Sequence, residues 1–213
     1  HLSYNDFPDT IDLLDKELRL PAFHKGVPVK RLVSGLFKEN SDIIVSIDIP
    51  NNVEIIDEGV FSSCYKLALI TKADENQFFS INNGVLYTDN GKTLLCYPAK
   101  LVIPEYYHDG ILVPSDTFIV PADVTRIAKG AFMHCDQLLY IAFEDGTQEL
   151  VFCEDAFRAL LNLKKIGRID TEQRDGNEVI IADEFLPDRL IAIESYAFKD
   201  CVNLKDITAT LNS

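Results

Sequence analysis

The chain has 213 residues, enough for one large domain or two small ones, and close to half of them are hydrophobic, so a sizeable core can be buried. Its formal charge of −14, from 20 basic and 34 acidic side chains, repels phosphate backbones and anionic lipid, which argues against nucleic-acid and membrane-surface partners. No run approaches the roughly 20 apolar residues that span a bilayer, so no membrane insertion is expected.

In chain order, residues 1–19 place Phe7, Ile11, Leu14 and Leu18 on one helical face, with Asp9 available as a cap. A short helix covering the first repeat coil is expected, because terminal coils need a cap. The chain begins at His1 rather than Met, so the lack of a signal-like leader carries no weight on export. Residues 20–73 hold two copies of a repeat. The clearer one reads Ile56, Phe61, Cys64, Leu67, Ile70. The earlier one keeps Leu32, Phe37 and Asn40, and one extra residue shifts the rest to Ile44, Ile47 and Ile49. Asn40, at the Cys position, would bond to loop backbone as an asparagine ladder does. Residues 74–120 read as a hairpin element, its turns marked by Asn83-Gly84 and Asn90-Gly91, followed by an irregular stretch over 100–117.

Residues 121–167 return to the frame twice, as Ile127, Phe132, Cys135, Leu138, Ile141 and as Phe152, Phe157, Leu160, Leu163, Ile166, with Leu160 in place of Cys. Residues 168–189 are an insertion, with Asp175-Gly176-Asn177 as a turn between two strands. The last copy, within 190–213, reads Ile193, Phe198, Cys201, Leu204, Ile207, and its edge is expected to have little cover. No segment reads as an interdomain linker, which predicts one continuous domain over 1–213.

Alternation such as Ile141-x-Phe143 predicts a short strand with one buried face. Phe, Cys and Leu at intervals of three predict a tight helical or 3₁₀-like turn. Gly35, Gly59, Gly130 and Asp155 precede the Phe by two, and Ser195 by three, where a sharp bend is needed. A single coil cannot bury its own apolar set, but stacked coils can, which gives a solenoid. Leu32 to Ile56 is 24 residues and Ile127 to Phe152 is 25; Ile56 to Ile127 is 71, close to three periods; Phe152 to Ile193 is 41, which implies about 16 inserted residues. The predicted fold is a repeat solenoid, a leucine-rich-repeat right-handed α/β superhelix of mostly short β-strands with short helical or 3₁₀ turns. The odd count of five Cys, none in a CxxC pair, predicts free and mostly buried thiols rather than a disulfide framework.

The frame Ile-x-x-x-Ala-Phe-x-x-Cys-x-x-Leu-x-x-Ile resembles the BspA-like leucine-rich-repeat family of bacterial and protozoan surface proteins. Ala131-Phe132 and Ala197-Phe198, each with Cys three positions after Phe, carry the resemblance most specifically. LPAFHKGVPVKRL over 20–32 resembles the family's usual lead into its first repeat, and FSINNGVLYTDNGKTLLCYPA over 79–99 resembles a hairpin-like element common in it. The resemblance implies a curved solenoid, a location that is extracellular or at the cell surface, a role in adhesion or recognition, and no catalytic site. The insertion after Ile166 and the stretch from Lys100 to Thr117 depart from the family pattern.

No phosphate loop, GxSxG, HExxH or EF-hand pattern occurs, so no cofactor and no metal are expected. His134 beside Cys135 reads as a surface His next to a core Cys rather than a metal half-site, and Asp183-Glu184 as solvated face. No Asn-x-Ser/Thr acceptor is present. Two surfaces are candidates for a ligand. One is the row of outward strand residues: Ser46 and Asp48, Leu69 and Thr71, Tyr140 and Ala142, Asp206 and Thr208, with Tyr140 as an exposed aromatic anchor. The other is the loop cluster Tyr106, Tyr107, His108 and Asp109, which would grip a sugar or peptide or would simply pack on the hairpin. The expected function is a non-catalytic surface or secreted module that binds an extracellular protein or glycan. The alternatives are a structural spacer or accessory domain of a larger surface protein and, more remotely, an enzyme or enzyme accessory acting on glycans.

Overall fold

Five apolar positions per copy must face one core if coils stack. In the computed structural model, which describes residues 17–39, 41–205 and 207–208, they do in the copies that start at Ile56, Ile127 and Phe152. The first coil holds β1 (Glu17–Arg19), a small hairpin of β2 (Phe23–His24) and β3 (Val27–Pro28), and β4 (Arg31–Leu32). The second holds β5 (Ser46–Ile49) and β6 (Ile55–Ile56). The third holds β7 (Leu69–Lys72) and a three-stranded unit, β8 (Ser80–Asn82), β9 (Val85–Thr88) and β10 (Thr93–Cys96). A hairpin of β11 (Tyr106–His108) and β12 (Ile111–Val113) follows. The fourth coil holds β13 (Thr117–Val120) and β14 (Arg126–Ile127), and the fifth β15 (Tyr140–Phe143) and β16 (Leu150–Phe152). The sixth holds β17 (Lys165–Arg174), β18 (Asn177–Ala182) and β19 (Leu190–Ile193). This is a β-solenoid of about six turns.

Two parallel ladders run along it. On one side β1, β5 and β7 pair in register, Leu18 with Ile47 and Ile47 with Ile70, and β13, β15 and β17 repeat the arrangement, Phe118 with Ile141 and Ile141 with Ile166. On the other side β4 pairs with β6, while β10, β14, β16 and β19 form a continuous run. Between the ladders the repeated aromatic ring stacks coil on coil: Phe37 on Phe61 at 5.7 Å, then Tyr97, Phe132, Phe157 and Phe198 at 5.5, 5.3 and 5.2 Å. Tyr97 therefore stands in the Phe position of the coil that carries the three-stranded unit. The Cys position has a polar use as well. Cys135 Sγ donates to the Tyr97 carbonyl at 3.5 Å and Cys201 Sγ to that of Phe157 at 3.0 Å, each to the ring-bearing residue of the preceding coil.

Several expectations need correction. The turns are not helical. In the fourth coil the amides of Ala131, Met133 and Cys135 each bond three residues back, while those of Gly130 and Phe132 reach the fifth coil's Glu154 and Ala156 carbonyls. Splitting alternate amides between the turn and the next coil satisfies the backbone without a helix. Left-handed φ at Gly130 and His134 makes this possible, and a Cβ on Gly130 would meet Ser62 Cβ at 2.8 Å. In the last copy the left-handed residue is Tyr196, not Ser195. A single 3₁₀ turn, Asp89–Gly91, is present among the described residues. The helix expected over 1–19 falls largely outside the described residues, and its last three residues form β1 instead, where Leu18 is buried. Asn40 is likewise outside them. The 71-residue interval from Ile56 to Ile127 is filled by the three-stranded unit and the β11–β12 hairpin rather than by regular coils.

All five Cys are free thiols, and burial pushes Cys64 up to about 12, but Cys201 in the last copy is only partly buried. Ile193, at a core position buried in the other copies, is 46% exposed, since no described coil stacks on it.

Candidate ligand-binding surface

Outward side chains alternate with core side chains along each strand of the first ladder. On β5 and β7 the alternation is visible as partial exposure: Ser46, Asp48 and Thr71 are half-buried and Leu69 is 48% exposed. Thr71 Oγ1 donates to Asp48 Oδ1 at 2.7 Å, which orders this polar row across two coils.

On β13 and β15 every residue is buried. Tyr140, expected as the exposed anchor, is 6% exposed, and Ala142 is 0% exposed. A second apolar core lies over them, built from Val113, Ile119, Tyr140, Ala142 and the Val179–Ala182 end of β18. Its origin is local. Strand β17 pairs with β15 as far as Arg168, then continues into an antiparallel hairpin with β18 around Asp175 and Gly176, both at positive φ. That hairpin folds back over the outward face, and β12 pairs with it through Leu112 and Val179. Thr117 Oγ1 donates to the Ile180 carbonyl at 3.4 Å. Near the turn, Arg174 Nη1 donates to Asp116 Oδ2 at 2.9 Å, and its guanidinium lies 5.0 Å from the Tyr140 ring. The insertion, expected as two strands around a turn, is such a hairpin and covers its own solenoid face.

A short rung, residues 183–186, follows β18 and seats beside Gly167. Asp183, expected as solvated face, accepts from the Arg168 and Phe185 amides at 2.8 and 3.0 Å and from the Arg168 guanidinium at 3.1 Å. Thr208 is exposed and bridges to Phe185 across this rung, while Asp206 lies outside the described residues.

The loop cluster is a strand hairpin, turned by Asp109 and Gly110 at positive φ, a signal that the Asp-Gly pair carries in the sequence. Its residues do not converge. Tyr106 packs between the two cores, where burial and the nearby Glu144 carboxylate push its phenol up, whereas Tyr107 is 74% exposed on the opposite side. His108 Nε2 stands 3.6 Å from Glu144 Oε1. His134, beside the buried Cys135, packs edge-on to Tyr65 at 6.4 Å, and burial lowers its pKa. Among the described residues no cluster of His, Cys, Asp or Glu is arranged to hold a metal, and no helix is long and apolar enough to cross a membrane.

A groove of about 680 Å³ opens at the start of β17, lined by Asn162, Lys164, Lys165, Asn203 and Lys205 among others. Sequence reasoning missed it, although the tripeptide Asn-Leu-Lys recurs at 162–164 and 203–205. The amides form a ladder: Gln137, Asn162 and Asn203 donate to the carbonyls of Leu101, Asp136 and Leu161 at 2.9, 2.8 and 2.7 Å.

The model of the BspA type leucine rich repeat region matches six copies, over residues 25–94, 102–174 and 177–213. Among solved structures, the chain is similar to a leucine-rich repeat protein from Eubacterium ventriosum (TM-score 0.65, 20% identity, 91% of this chain and 42% of that one). It is also similar to the pneumococcal vaccine antigen PcpA (0.52, 14%, 78% and 39%) and to a leucine rich cell surface protein from Faecalibacterium prausnitzii (0.50, 18%, 91% and 59%). At such identities the likeness is one of fold, and the chain spans less than two thirds of each of these proteins. No curated protein matches it. With the repeat frame, the stacked rings and six matched copies in agreement, this chain belongs to the BspA-type leucine-rich repeat family.

Proposed function

We propose that the chain is a non-catalytic recognition module of a surface or secreted protein, and that it presents the β5–β7 row to an extracellular protein or glycan. The observation that carries this reading is the difference in cover along one ladder. The outward row is open and polar at Ser46, Asp48, Leu69 and Thr71, and sealed by the chain's own hairpins at Ile119, Tyr140 and Ala142. An open row with an ordered hydroxyl–carboxylate pair and one exposed Leu suits a partner that presents polar groups around a small apolar contact. Family membership and the cell-surface neighbour support the location.

The test is an array of glycans and extracellular matrix proteins probed with the chain and with Leu69→Asp and Tyr107→Ala. A ligand lost with Leu69→Asp and kept with Tyr107→Ala is the expected result. A ligand indifferent to Leu69→Asp, or no array signal from the folded chain, overturns the reading. The second result would favour a spacer role, for which the exposed Ile193 and Val202 of the last coil are the supporting observation, as a face on which a further module packs.

A further inference from the structure

The groove at the start of β17 exists because the coils are wedged apart there. The turn of the fifth coil, which leads into β17, and that of the sixth, which leads towards Thr208, touch directly, through Asn203 Nδ2 on the Leu161 carbonyl and Cys201 Sγ on that of Phe157. At the strands, residues 183–186 intervene: the Phe185 carbonyl accepts the Arg168 amide at 3.0 Å on one side, and Leu186 donates to Thr208 at 2.9 Å on the other. Touching at one end and separated by a strand at the other, the two coils splay, and the space between them is the groove. Lys164 and Lys205, equivalent in the repeat, both line that space.

The chemistry of the lining runs against the rest of the molecule. Three ammonium groups meet one carboxylate, in a chain whose formal charge is −14. That carboxylate, Glu184, is engaged by Lys165 at 3.6 Å. Among the described residues Lys164 and Lys205 make no ion pair; Lys164 lies 5.9 Å from the ring of Tyr140, which also lines the groove. Asn162 and Asn203 each donate one Nδ2 hydrogen to the ladder, which fixes the amide and leaves its Oδ1 acceptor for a ligand. The volume falls within the roughly 300–1,000 Å³ of small-ligand sites.

We propose that this groove binds an acidic polysaccharide, with uronate carboxylates on Lys164 and Lys205 and sugar hydroxyls on the amide oxygens of Asn162 and Asn203. Separated cations interleaved with neutral acceptors match a chain that alternates carboxylates with hydroxyls. An acidic polypeptide offers the charges but few hydroxyl donors for the amides. The global negative charge does not forbid the contact: at physiological salt the Debye length is about 8 Å, so the distant carboxylates are screened while the lysines in contact are not. This site is separate from the β5–β7 row and stands or falls apart from it.

The experiment is affinity electrophoresis of the full chain through gels holding polygalacturonate, dextran or poly-glutamate. Retardation by polygalacturonate alone is expected, weakening as salt rises, with at least tenfold lower affinity for the double variant Lys164→Glu/Lys205→Glu. The control Lys66→Glu/Lys92→Glu changes charge equally at exposed sites elsewhere and should bind as the parent does. Absence of retardation, equal loss in the control, or equal retardation by poly-glutamate overturns the proposal, the last in favour of an acidic peptide. Leu69→Asp should leave polygalacturonate binding unchanged, so a failure here is distinguishable from a failure of the open-row reading.

Discussion

Strands β5–β7 and β13–β15 occupy the same place in successive coils, pair in the same register and bury the same inward residues, yet one pair faces solvent and the other carries a second core. The outward residues differ accordingly. Ser46, Asp48 and Thr71 are polar, whereas Ile119, Tyr140 and Ala142 are mostly apolar, and a strand buried on both faces reads as a continuous apolar run rather than an alternation. A repeat's outward row is therefore available only where no insertion folds back on it. In this chain the two departures from the repeat, at 100–117 and 168–189, both land on the same half.

Truncating equivalent residues puts the contrast between the two halves under the most strain. Tyr140→Ala removes a buried ring and should cost about 3 kcal/mol or more, the range of large-to-small core changes. Leu69→Ala, at the matching position of β7, should cost about 0.5 kcal/mol or less. Urea midpoints measure both, and equal shifts would show that the β17–β18 hairpin does not close on the face.

A smaller effect isolates the hinge of that closure. A Cβ on Gly167 would run into the Asp183 side chain and into the carbonyl of Phe185 at 2.7 Å. Gly167→Ala should therefore destabilise by roughly 1–3 kcal/mol, as overpacking does. Amide hydrogen exchange should quicken over 177–182 and stay unchanged over 46–49. Uniform loss of protection would mean that the hairpin and the solenoid open as one unit.

The mildest change tests what joins the two halves. Glu58, in the second coil's turn, accepts from Arg126 Nε at 2.8 Å and from the Lys129 amide at 3.0 Å in the fourth, past the three-stranded unit. Burial works to raise its pKa, but those bonds and the two positive charges outweigh it, so the carboxyl lies below its ordinary value of 4.5. A depressed native pKa stabilises the fold above the unfolded value, and that contribution is lost as pH falls through the native one. Glu58→Gln should cost about 1 kcal/mol at neutral pH. The gap to the parent should close in acid, below the ordinary value, and a pH-independent gap would remove the ionic clamp.

Much of the solenoid is legible because spacing alone encodes it. Phe61, Phe132, Phe157 and Phe198 fall at one position of the frame and appear in the ring stacks, and Leu160 takes a Cys place without disturbing them. The turn at Asp175-Gly176 is equally legible, since two consecutive left-handed residues are a property of the dipeptide. Asp109-Gly110 carries the same signal, although the sequence reading placed that segment in a loop. Tyr140 departs from its expected exposure because the repeat frame predicts only which side of a strand a residue takes, not what lies beyond it.

The period, the inward residues, the aromatic stack and the hairpin turn at 175–176 are written in the chain, because each follows from short-range geometry repeated along it. Long-range packing settled the rest: that β18 returns across β13 and β15, that residues 183–186 wedge the following coil apart, and that Asn162, Lys164, Asn203 and Lys205 line one groove. Such outcomes depend on where an insertion finds apolar surface to cover, a contact between residues far apart in sequence such as Thr117 and Ile180, which no local pattern specifies.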